Sequence, residues 1–201
     1  MDTLIFATNN AHKTAEIRKV LDGRFYVISL KEAGIDKDIP EPHDTLEANA
    51  TEKSQTIHRL TGTNCFSEDT GLFVDALNGA PGVKSARYAG PNSQAQDNIT
   101  KLLQALDGKP ARTARFRTII SLILDGVEHQ FEGVCEGIII NEQRGSNGFG
   151  YDPVFVPNGS SKTFAEMDMA EKSLYSHRKK AMEKMIGHLT GNQTLPAKNN
   201  L

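Results

Sequence analysis

The sequence predicts a mixed α/β fold in which helices flank a long central sheet. Strand-sized apolar runs alternate with helical periodicities, as in "TLIFAT" (3–8) followed by "AHKTAEIRKVL" (11–21). Two long strand patterns then follow one another directly, "TARFRTIISLIL" (113–124) and "HQFEGVCEGIIIN" (129–141), joined through "DGVE" as a hairpin turn. Because a hairpin pair is antiparallel, the sheet is predicted to be mixed rather than purely parallel.

The elements of the first half follow from apolar spacing and capping residues. The apolar residues of the 11–21 helix fall on one face, and "RFYVISL" (24–30) is predicted to be a second strand. The acidic, proline-containing segment 36–44 is predicted to be a loop. Thr45 is then a suitable N-cap for a helix that runs to about Leu60.

In the second half, the Gly- and Pro-rich segment 78–93 predicts a loop, and 93–106 predicts a helix. The glycine-rich segment 142–155 leads into a short strand, and one last helix is predicted from Glu171 to Leu189. The whole chain, 1–201, is expected to be a single domain whose tail, 191–201, is frayed.

Composition narrows the classes of function. Of the 201 residues, 38% are hydrophobic and 24% are charged, which is typical of globular proteins. The net charge of −2 creates no overall positive potential that would attract nucleic acid or an anionic membrane. Cys65 and Cys135 stand far apart without metal-ligand spacing, which indicates buried thiols in a reducing compartment. The N-terminal apolar run is too short for a signal peptide or a membrane span, so a cytoplasmic location is expected.

Two cations interrupt apolar helical stripes. Lys53 lies in the stripe of the helix that follows Thr45, and Arg178 lies in the stripe of the last helix. The stripes themselves are Leu46, Ala50, Ile57 and Leu60 in the first helix and Leu174, Ala181 and Met185 in the last. A lysine so placed often reaches solvent, and an arginine often forms a structural salt bridge. The alternative is that both, with Lys172 and His177 nearby, face a pocket that binds an anion.

Two loops have compositions that suit a phosphorylated ligand. "ATNNAHK" (7–13) leads from a strand into a helix whose free amides favour an anion, with Lys13 in its first turn. It lacks the glycines of a P-loop. "GSNGFGYDP" (145–153) surrounds an aromatic ring with glycines, which permits close backbone approach and stacking on a flat base. Each loop alone is equally typical of a cap or a turn.

The carboxylates complete the pattern. "NCFSEDTGLFVD" (64–75) sets Glu68 beside Asp69 among apolar residues, where an uncompensated charge is costly. In a continuing strand the two side chains point to opposite faces, whereas a bend at Thr70-Gly71 would turn Asp69, and with it Glu68, toward one pocket. Glu41 lies in the "IPEP" loop. Oxygen ligands without a His/Cys cluster suit Mg²⁺ rather than zinc, so the sequence predicts a metal–triphosphate site with a base pocket.

These motifs resemble the inosine triphosphate pyrophosphatases, also called dITP/XTP or non-standard purine NTP pyrophosphatases. The resemblance runs from "FATNNAHK" through "SEDTGL", "GAPGVKSARYAG" and "GFGYDP" to "EKSLYSHR". It implies two lobes on a long mixed sheet with a cleft between them, a homodimer, Mg²⁺ as cofactor and a purine nucleoside triphosphate as small-molecule partner, with no nucleic acid or membrane partner.

The resemblance also implies roles for single residues. Glu41 and Asp69 would hold Mg²⁺, with Glu68 as a further candidate, and Asp69 would be the general base for water attacking the α-phosphorus. The implied substrate-binding residues are Thr8, Asn10, Lys13 and Lys53 for the triphosphate, Thr70 for the nucleotide, Phe149, Gly150, Tyr151 and Asp152 for the base and sugar, and Lys172, His177 and Arg178 for the purine edge.

Two positions depart from the family pattern. Asn9 stands where the family commonly has Gly, and Glu47 is displaced by one position from the usual acid, so neither receives a role.

Three rival functions stay open at the level of sequence. A related Maf-like nucleotide pyrophosphatase would have similar chemistry with different bases. The chain could instead be a non-catalytic nucleotide- or RNA-binding module, although its clustered acids would repel a polyanion unless they hold metal. It could also be a structural domain whose unusual charges are salt bridges.

Overall fold

The computed structural model describes residues 2–21, 25–37 and 39–191. In this part of the chain the strands are β1 (Asp2–Phe6), β2 (Phe25–Ser29), β3 (Cys65–Val74), β4 (Pro81–Gly82), β5 (Thr113–Leu124), β6 (Val127–Ile139) and β7 (Phe155–Pro157). The α-helices are α1 (Ala11–Leu21), α2 (Leu46–Thr61), α3 (Ala95–Ala105), α4 (Met169–Tyr175) and α5 (His177–Leu189).

The strands form one mixed sheet in the order β2-β1-β3-β5-β6-β7, with β4 added beside β3. β1 is parallel to β2 and to β3, whereas β3, β5, β6 and β7 are successively antiparallel. The hairpin between β5 and β6 turns at Asp125 and Gly126, both with positive φ, as a tight two-residue hairpin requires. The predicted mixed sheet is confirmed.

Alternation along β3 divides the side chains between two helical layers. Phe66 shares a hydrophobic cluster with α1 and α5, including Ile17 and Met185. On the opposite face Ser67 donates a hydrogen bond to the backbone oxygen of Ala50 in α2. Consecutive residues of β3 therefore face different helices, as the period of two in a strand requires.

One edge of β3 is open at its centre. β1 pairs with β3 only at Cys65 and Phe66, and β4 pairs with it only at Leu72 and Phe73. Among the described strands none pairs with residues 67–71 on that edge. The unpaired segment carries both members of the acid pair, and the end of β1 and the start of α1 lie beside it.

Three predictions about the helices were wrong: the undivided last helix and the inward positions of Leu174 and Leu60. The single last helix is divided at Ser176, which ends α4 and also caps α5 by accepting a hydrogen bond from the amide of Lys179. A serine in this role favours a new helix start over continuation of the old one. Leu174, assigned to the apolar stripe, belongs to α4 and is 73% exposed.

Leu60 is the other misplaced apolar residue, with 54% exposure. Ile57, one turn earlier, already shares a cluster with Cys65, the first residue of β3, so the final turn of α2 extends past the sheet. Thr45 caps α2 as predicted, accepting from the amide of Ala48. The predicted frayed tail, apart from Gly191, lies outside the described residues.

Among the helices of the described residues, none is both long enough and apolar enough to cross a lipid bilayer.

Candidate active site at the open edge of β3

Lys53 organises the acids on the α2 face of β3. Its buried ammonium donates to Glu41 Oε1 at 2.5 Å and to the backbone oxygen of Glu68 at 2.7 Å, and lies 3.5 Å from Asp69 Oδ1. The backbone oxygen of Glu68 is available because β3 has no strand neighbour at that point among the described residues. Lys53 does not reach solvent, since its ammonium is buried among these oxygen atoms.

Asp69 and Glu41 have pKa values shifted in opposite directions. Burial raises the pKa of Asp69, and the nearby Glu41 raises it further, while Lys53 opposes both. For Glu41 burial is the largest influence and also acts upward, but Lys53, Arg87 and Lys13 together outweigh it and lower the pKa. Asp69 is therefore the carboxylate more ready to accept a proton, which is the property of a general base.

Asp69 also has an unused oxygen. Its Oδ1 accepts a hydrogen bond from the amide of Thr70 at 3.1 Å. Its Oδ2 is buried and has no hydrogen bond of good geometry among the described residues, although the Asn49 amide lies close enough to the carboxylate to lower its pKa slightly. A buried carboxylate oxygen without a donor is costly, which indicates a position completed by a ligand or a cation.

Glu68 faces the other side of the sheet, toward α1 and α5. Arg178 grips its carboxylate with two nitrogens, Nε at 2.9 Å from Oε2 and Nη2 at 3.0 Å from Oε1. Lys13 Nζ lies 2.7 Å from Oε1. Because the strand continues through residues 70–71 without the bend considered from sequence, Glu68 and Asp69 point to opposite faces. Lys13, which the resemblance assigns to the triphosphate, contacts Glu68 in this structure.

The groups on this face differ in charge. Burial alone would raise the pKa of Glu68, but attraction to Arg178 and Lys13 dominates and holds it well below its ordinary range. Burial, followed by repulsion from Arg178, lowers the pKa of His177 well below its ordinary value. His177 is therefore neutral, and its ring stacks on Phe116 with a centroid distance of 4.8 Å. Its buried Nδ1 has no partner among the described residues.

The glycine-rich loop presents an aromatic ring over two cations. Phe149 is 57% exposed, with Lys172 Nζ 5.1 Å and Arg178 Cζ 5.8 Å from its ring centroid. Asp152 holds the loop together by accepting from the amide of Phe149 at 2.9 Å and from Lys172 at 2.6 Å. Gly148 has φ of +78°, and a Cβ there would overlap the Asp152 carboxylate, so the loop requires glycine at this position.

The turn between β1 and α1 is organised by its own polar side chains. Thr8 Oγ1 accepts from the amide of Asn10 at 3.2 Å, and Asn10 Oδ1 accepts from the amide of Lys13 at the same distance. Asn10 thus caps the helix that carries Lys13. The side chain of Asn9 bonds outside the turn: its Oδ1 accepts a hydrogen bond from the amide of Lys31.

Of three other predicted site residues, two make hydrogen bonds within the protein. Thr70 shares a hydrogen bond with Thr118 through their hydroxyls at 2.7 Å. Gly150, with φ of +60°, adopts a backbone conformation suited to glycine. Tyr151 is buried in the core, and its hydroxyl donates to the backbone oxygen of Ser85 at 2.8 Å.

Sequence reasoning missed three residues that build this site. Arg87 approaches Glu41, donating to its backbone oxygen at 3.1 Å and lying 3.5 Å from its carboxylate. Asn49 pairs with both the amide and the oxygen of His43 and so fixes the loop that carries Glu41. Gly133 in β6 allows α5 to approach closely. Arg87 lies in the motif "GAPGVKSARYAG" and Asn49 in the helix after Thr45, so their polar side chains could have been noticed in the sequence. Nothing in the sequence distinguishes Gly133.

The carboxylates fit a hard divalent cation only in part. The described residues contain no group of three or more His, Cys, Asp or Glu side chains placed to hold a metal. Mg²⁺ commonly takes one or two carboxylates and completes its shell with water and substrate phosphates. Glu41 and the unpaired Oδ2 of Asp69, both beside Lys53, match that donor set.

Known proteins are similar to this chain in sequence and in fold. The model of the Ham1 family matches residues 4–188 of this chain. The chain belongs to the Ham1 family. The resemblance predicted from the motifs is thereby confirmed, and the match covers every site residue described above.

Individual Ham1 relatives support this assignment. The chain is 52% identical over 186 residues to a dITP/XTP pyrophosphatase of Porphyromonas gingivalis, a match that covers 92% of this chain and 96% of the relative. It is 46% identical to a protein of the same name from Flavobacterium johnsoniae, covering 93% and 97% respectively. The solved Ham1 proteins of Staphylococcus aureus and Coxiella burnetii superpose with TM-scores of 0.90, at 36% and 38% identity. The match covers 96% and 95% of this chain and 100% of each solved chain.

Proposed function

We propose that this chain hydrolyses non-standard purine nucleoside triphosphates, such as ITP, dITP and XTP, to the monophosphate and pyrophosphate. The observation that carries the proposal is the group at the open edge of β3, where Lys53 bridges Glu41 and Asp69 while Asp69 Oδ2 stays unpaired among the described residues. This group combines a cation for phosphate with a carboxylate ready to accept a proton. The names of the curated Ham1 relatives support the substrate class.

In the proposed reaction Asp69 takes the proton of a water molecule that attacks the α-phosphorus. Its raised pKa and its burial suit that task. Lys53 neutralises negative charge on the phosphates from the α2 face, and Lys13 does so from the start of α1. Most of the rate enhancement in such reactions comes from positioning and charge stabilisation rather than from covalent chemistry.

The proposal includes Mg²⁺, held by Glu41 and Asp69. When bound, the ion would polarise the phosphate oxygens and neutralise their charge. The proposal also includes a homodimer, which the family resemblance alone supports and which light scattering of the purified protein tests. It includes a reducing cytoplasm, which the widely spaced cysteines support.

The proposed selectivity follows from hydrogen-bond donors. Arg178 can only donate, whereas hypoxanthine and xanthine present acceptors at O6 and N7 and adenine presents an amino donor at the 6-position. Phe149 gives the base a surface for stacking, and Lys172 adds a further donor beside it.

Pyrophosphate release tests the proposal directly. The purified chain is assayed with ITP, XTP, dITP, GTP, ATP and UTP, each with and without Mg²⁺, and Asp69→Asn serves as the inactive control. We expect turnover of the 6-oxo purines that requires Mg²⁺. A preference for other bases would favour a Maf-like pyrophosphatase, and binding of nucleotides without any turnover would favour a non-catalytic module.

A further inference from the structure

Glu68 lies between two cations that the proposed function assigns to different parts of the substrate. Its side chain is 3% exposed, and its Oε1 lies 2.7 Å from Lys13 and 3.0 Å from Arg178 Nη2. Oε2 accepts from Arg178 Nε at 2.9 Å. Lys13 belongs to the phosphate end of the site, whereas Arg178 belongs to the base end. One carboxylate thus contacts both ends.

The bonding of Glu68 differs from that of Asp69, its neighbour on the strand. Both oxygens of Glu68 already accept charged hydrogen bonds from side chains, and the guanidinium fork of Arg178 fits the carboxylate in two-point geometry. Asp69 keeps one oxygen without a donor among the described residues. Glu68 also faces away from Glu41 and Lys53, because the side chains of β3 alternate. These contacts do not suit Glu68 as a third metal ligand.

We propose that Glu68 is a positioning residue: it orients Arg178 for the purine edge, and it is the counter-ion of Lys13 until a polyphosphate replaces it. This inference rests on the proposed function for the identity of the two ends. Two-point pairing fixes the plane of the guanidinium, which a single contact does not. Lys13, a flexible point charge, can exchange one anion for another.

The two roles give opposite consequences when the charge of Glu68 is removed. Glu68→Gln keeps the size of the side chain but removes the negative charge that faces Lys13 and Arg178, so a polyanion should bind more tightly. The same change weakens the two-point grip on Arg178, so discrimination between bases should fall. Glu68→Asp separates the roles, because it keeps the negative charge but shortens the side chain by one methylene.

Binding of inorganic tripolyphosphate, measured by calorimetry without metal, tests the counter-ion role. We expect Glu68→Gln to tighten the Kd about fivefold, and Glu68→Asp to stay within about twofold of the wild type, since only the first removes charge. In the Lys13→Met background the gain from Glu68→Gln should shrink, because the released cation is then absent. An unchanged or weakened tripolyphosphate affinity in Glu68→Gln would overturn this half of the proposal.

The ratio of kcat/KM for ITP to that for ATP tests the positioning role. We expect both Glu68 variants to lose about tenfold in this ratio, since buried donors then no longer match the 6-oxo base. Loss of a residue that only stabilised the fold would lower kcat/KM equally for both substrates and leave their ratio unchanged. That result would refute the positioning role. Circular dichroism and thermal unfolding verify folding. If Glu68→Gln does not fold, Glu68→Asp decides the positioning role. Glu68→Met, which also removes the charge, then replaces Glu68→Gln in the tripolyphosphate measurement with the same expected and refuting results.

The test remains informative if the proposed function fails. A wild type that turns over no nucleotide would refute the hydrolase, but calorimetry with IMP and AMP still reports the base preference that Glu68 sets through Arg178. A wild type that hydrolyses ITP selectively while the Glu68 variants keep both selectivity and tripolyphosphate affinity would refute the role of Glu68 alone.

Discussion

Gly133→Ala tests whether the packing of α5 on β6 sets the position of Arg178. Gly133 lies opposite the first turn of α5. A Cβ added there would overlap the backbone oxygen of His177 and would lie 2.5 Å from the amide nitrogen of Ala181. Both are backbone atoms, so no side-chain rotation relieves the contact. The start of α5 must therefore retreat by about 1 Å to restore normal van der Waals separation.

The size of the effect follows from that displacement. Overpacking of this kind costs roughly 1–3 kcal/mol, and for a chain of 201 residues each 1 kcal/mol lowers the Tm by about 2–4 °C. Arg178 lies in the same turn, directly after His177, so its guanidinium moves with the backbone. Misplacement of a substrate-positioning group by about 1 Å can reduce the rate about 100-fold. We therefore expect kcat/KM for ITP to fall roughly 10- to 100-fold, with a smaller loss for ATP.

Steady-state kinetics with ITP and ATP, together with thermal unfolding, measure both effects. Leu102→Ala is the matched control: Leu102 is fully buried in α3, away from α5, and its truncation costs about 2–5 kcal/mol. The control should lose stability but keep the wild-type ratio of kcat/KM for ITP to kcat/KM for ATP. If Gly133→Ala loses stability but keeps full activity and an unchanged ratio, the packing of α5 does not set the position of Arg178.

Three further substitutions test single groups. Asp69→Asn should abolish pyrophosphate release while Tm is retained, and a larger loss in Glu68→Gln would show that the wrong carboxylate was chosen as the base. Lys53→Met removes a cation that lowers the pKa of Asp69, so this pKa should rise further. Because turnover needs ionised Asp69, the acid limb of the pH–rate profile should move to higher pH. An acid limb at the same pH as in the wild type, which is the result expected for the distant control Lys101→Met, would contradict this. Arg178→Ala should lose the preference for ITP over ATP more than it loses Mg²⁺ affinity, and unchanged selectivity in nucleotide competition assays would refute its role.

The parts of the fold that local pattern determines could be predicted from the sequence. Apolar spacing gave the paired long strands, and the Thr45 cap gave the start of α2, because both depend on residues close in the chain. The division of the last helix at Ser176 was missed, since serine is tolerated inside helices and acts as a cap only when the backbone turns there. Leu174 was therefore assigned to the same apolar stripe as residues of α5, although it belongs to α4.

The sequence singled out Lys53 and Arg178 as unusual, but it did not show which residues they contact. Lys53 and Arg178 stood out because a charge interrupts an apolar stripe, and both are buried. Their partners depend on tertiary register: Arg178 meets Glu68 across 110 positions of sequence. Gly133 left no signal, because its importance arises only when α5 lies against β6. Such contacts belong to the packing of elements and not to the elements themselves.

The adjacent carboxylates owe their different chemistry to the geometry of a strand. Because β3 continues without a bend, Asp69 lies on the α2 face with Lys53, while Glu68 lies on the α5 face with Arg178. The pKa of Asp69 is raised and that of Glu68 is lowered, although both are buried, since Glu68 has two close cations and Asp69 shares one with Glu41. A strand can therefore set a proton acceptor and a permanent anion side by side and keep them apart by one layer of sheet. In the proposed enzyme this separation would let the same short segment serve the phosphate chemistry on one face and the recognition of the base on the other.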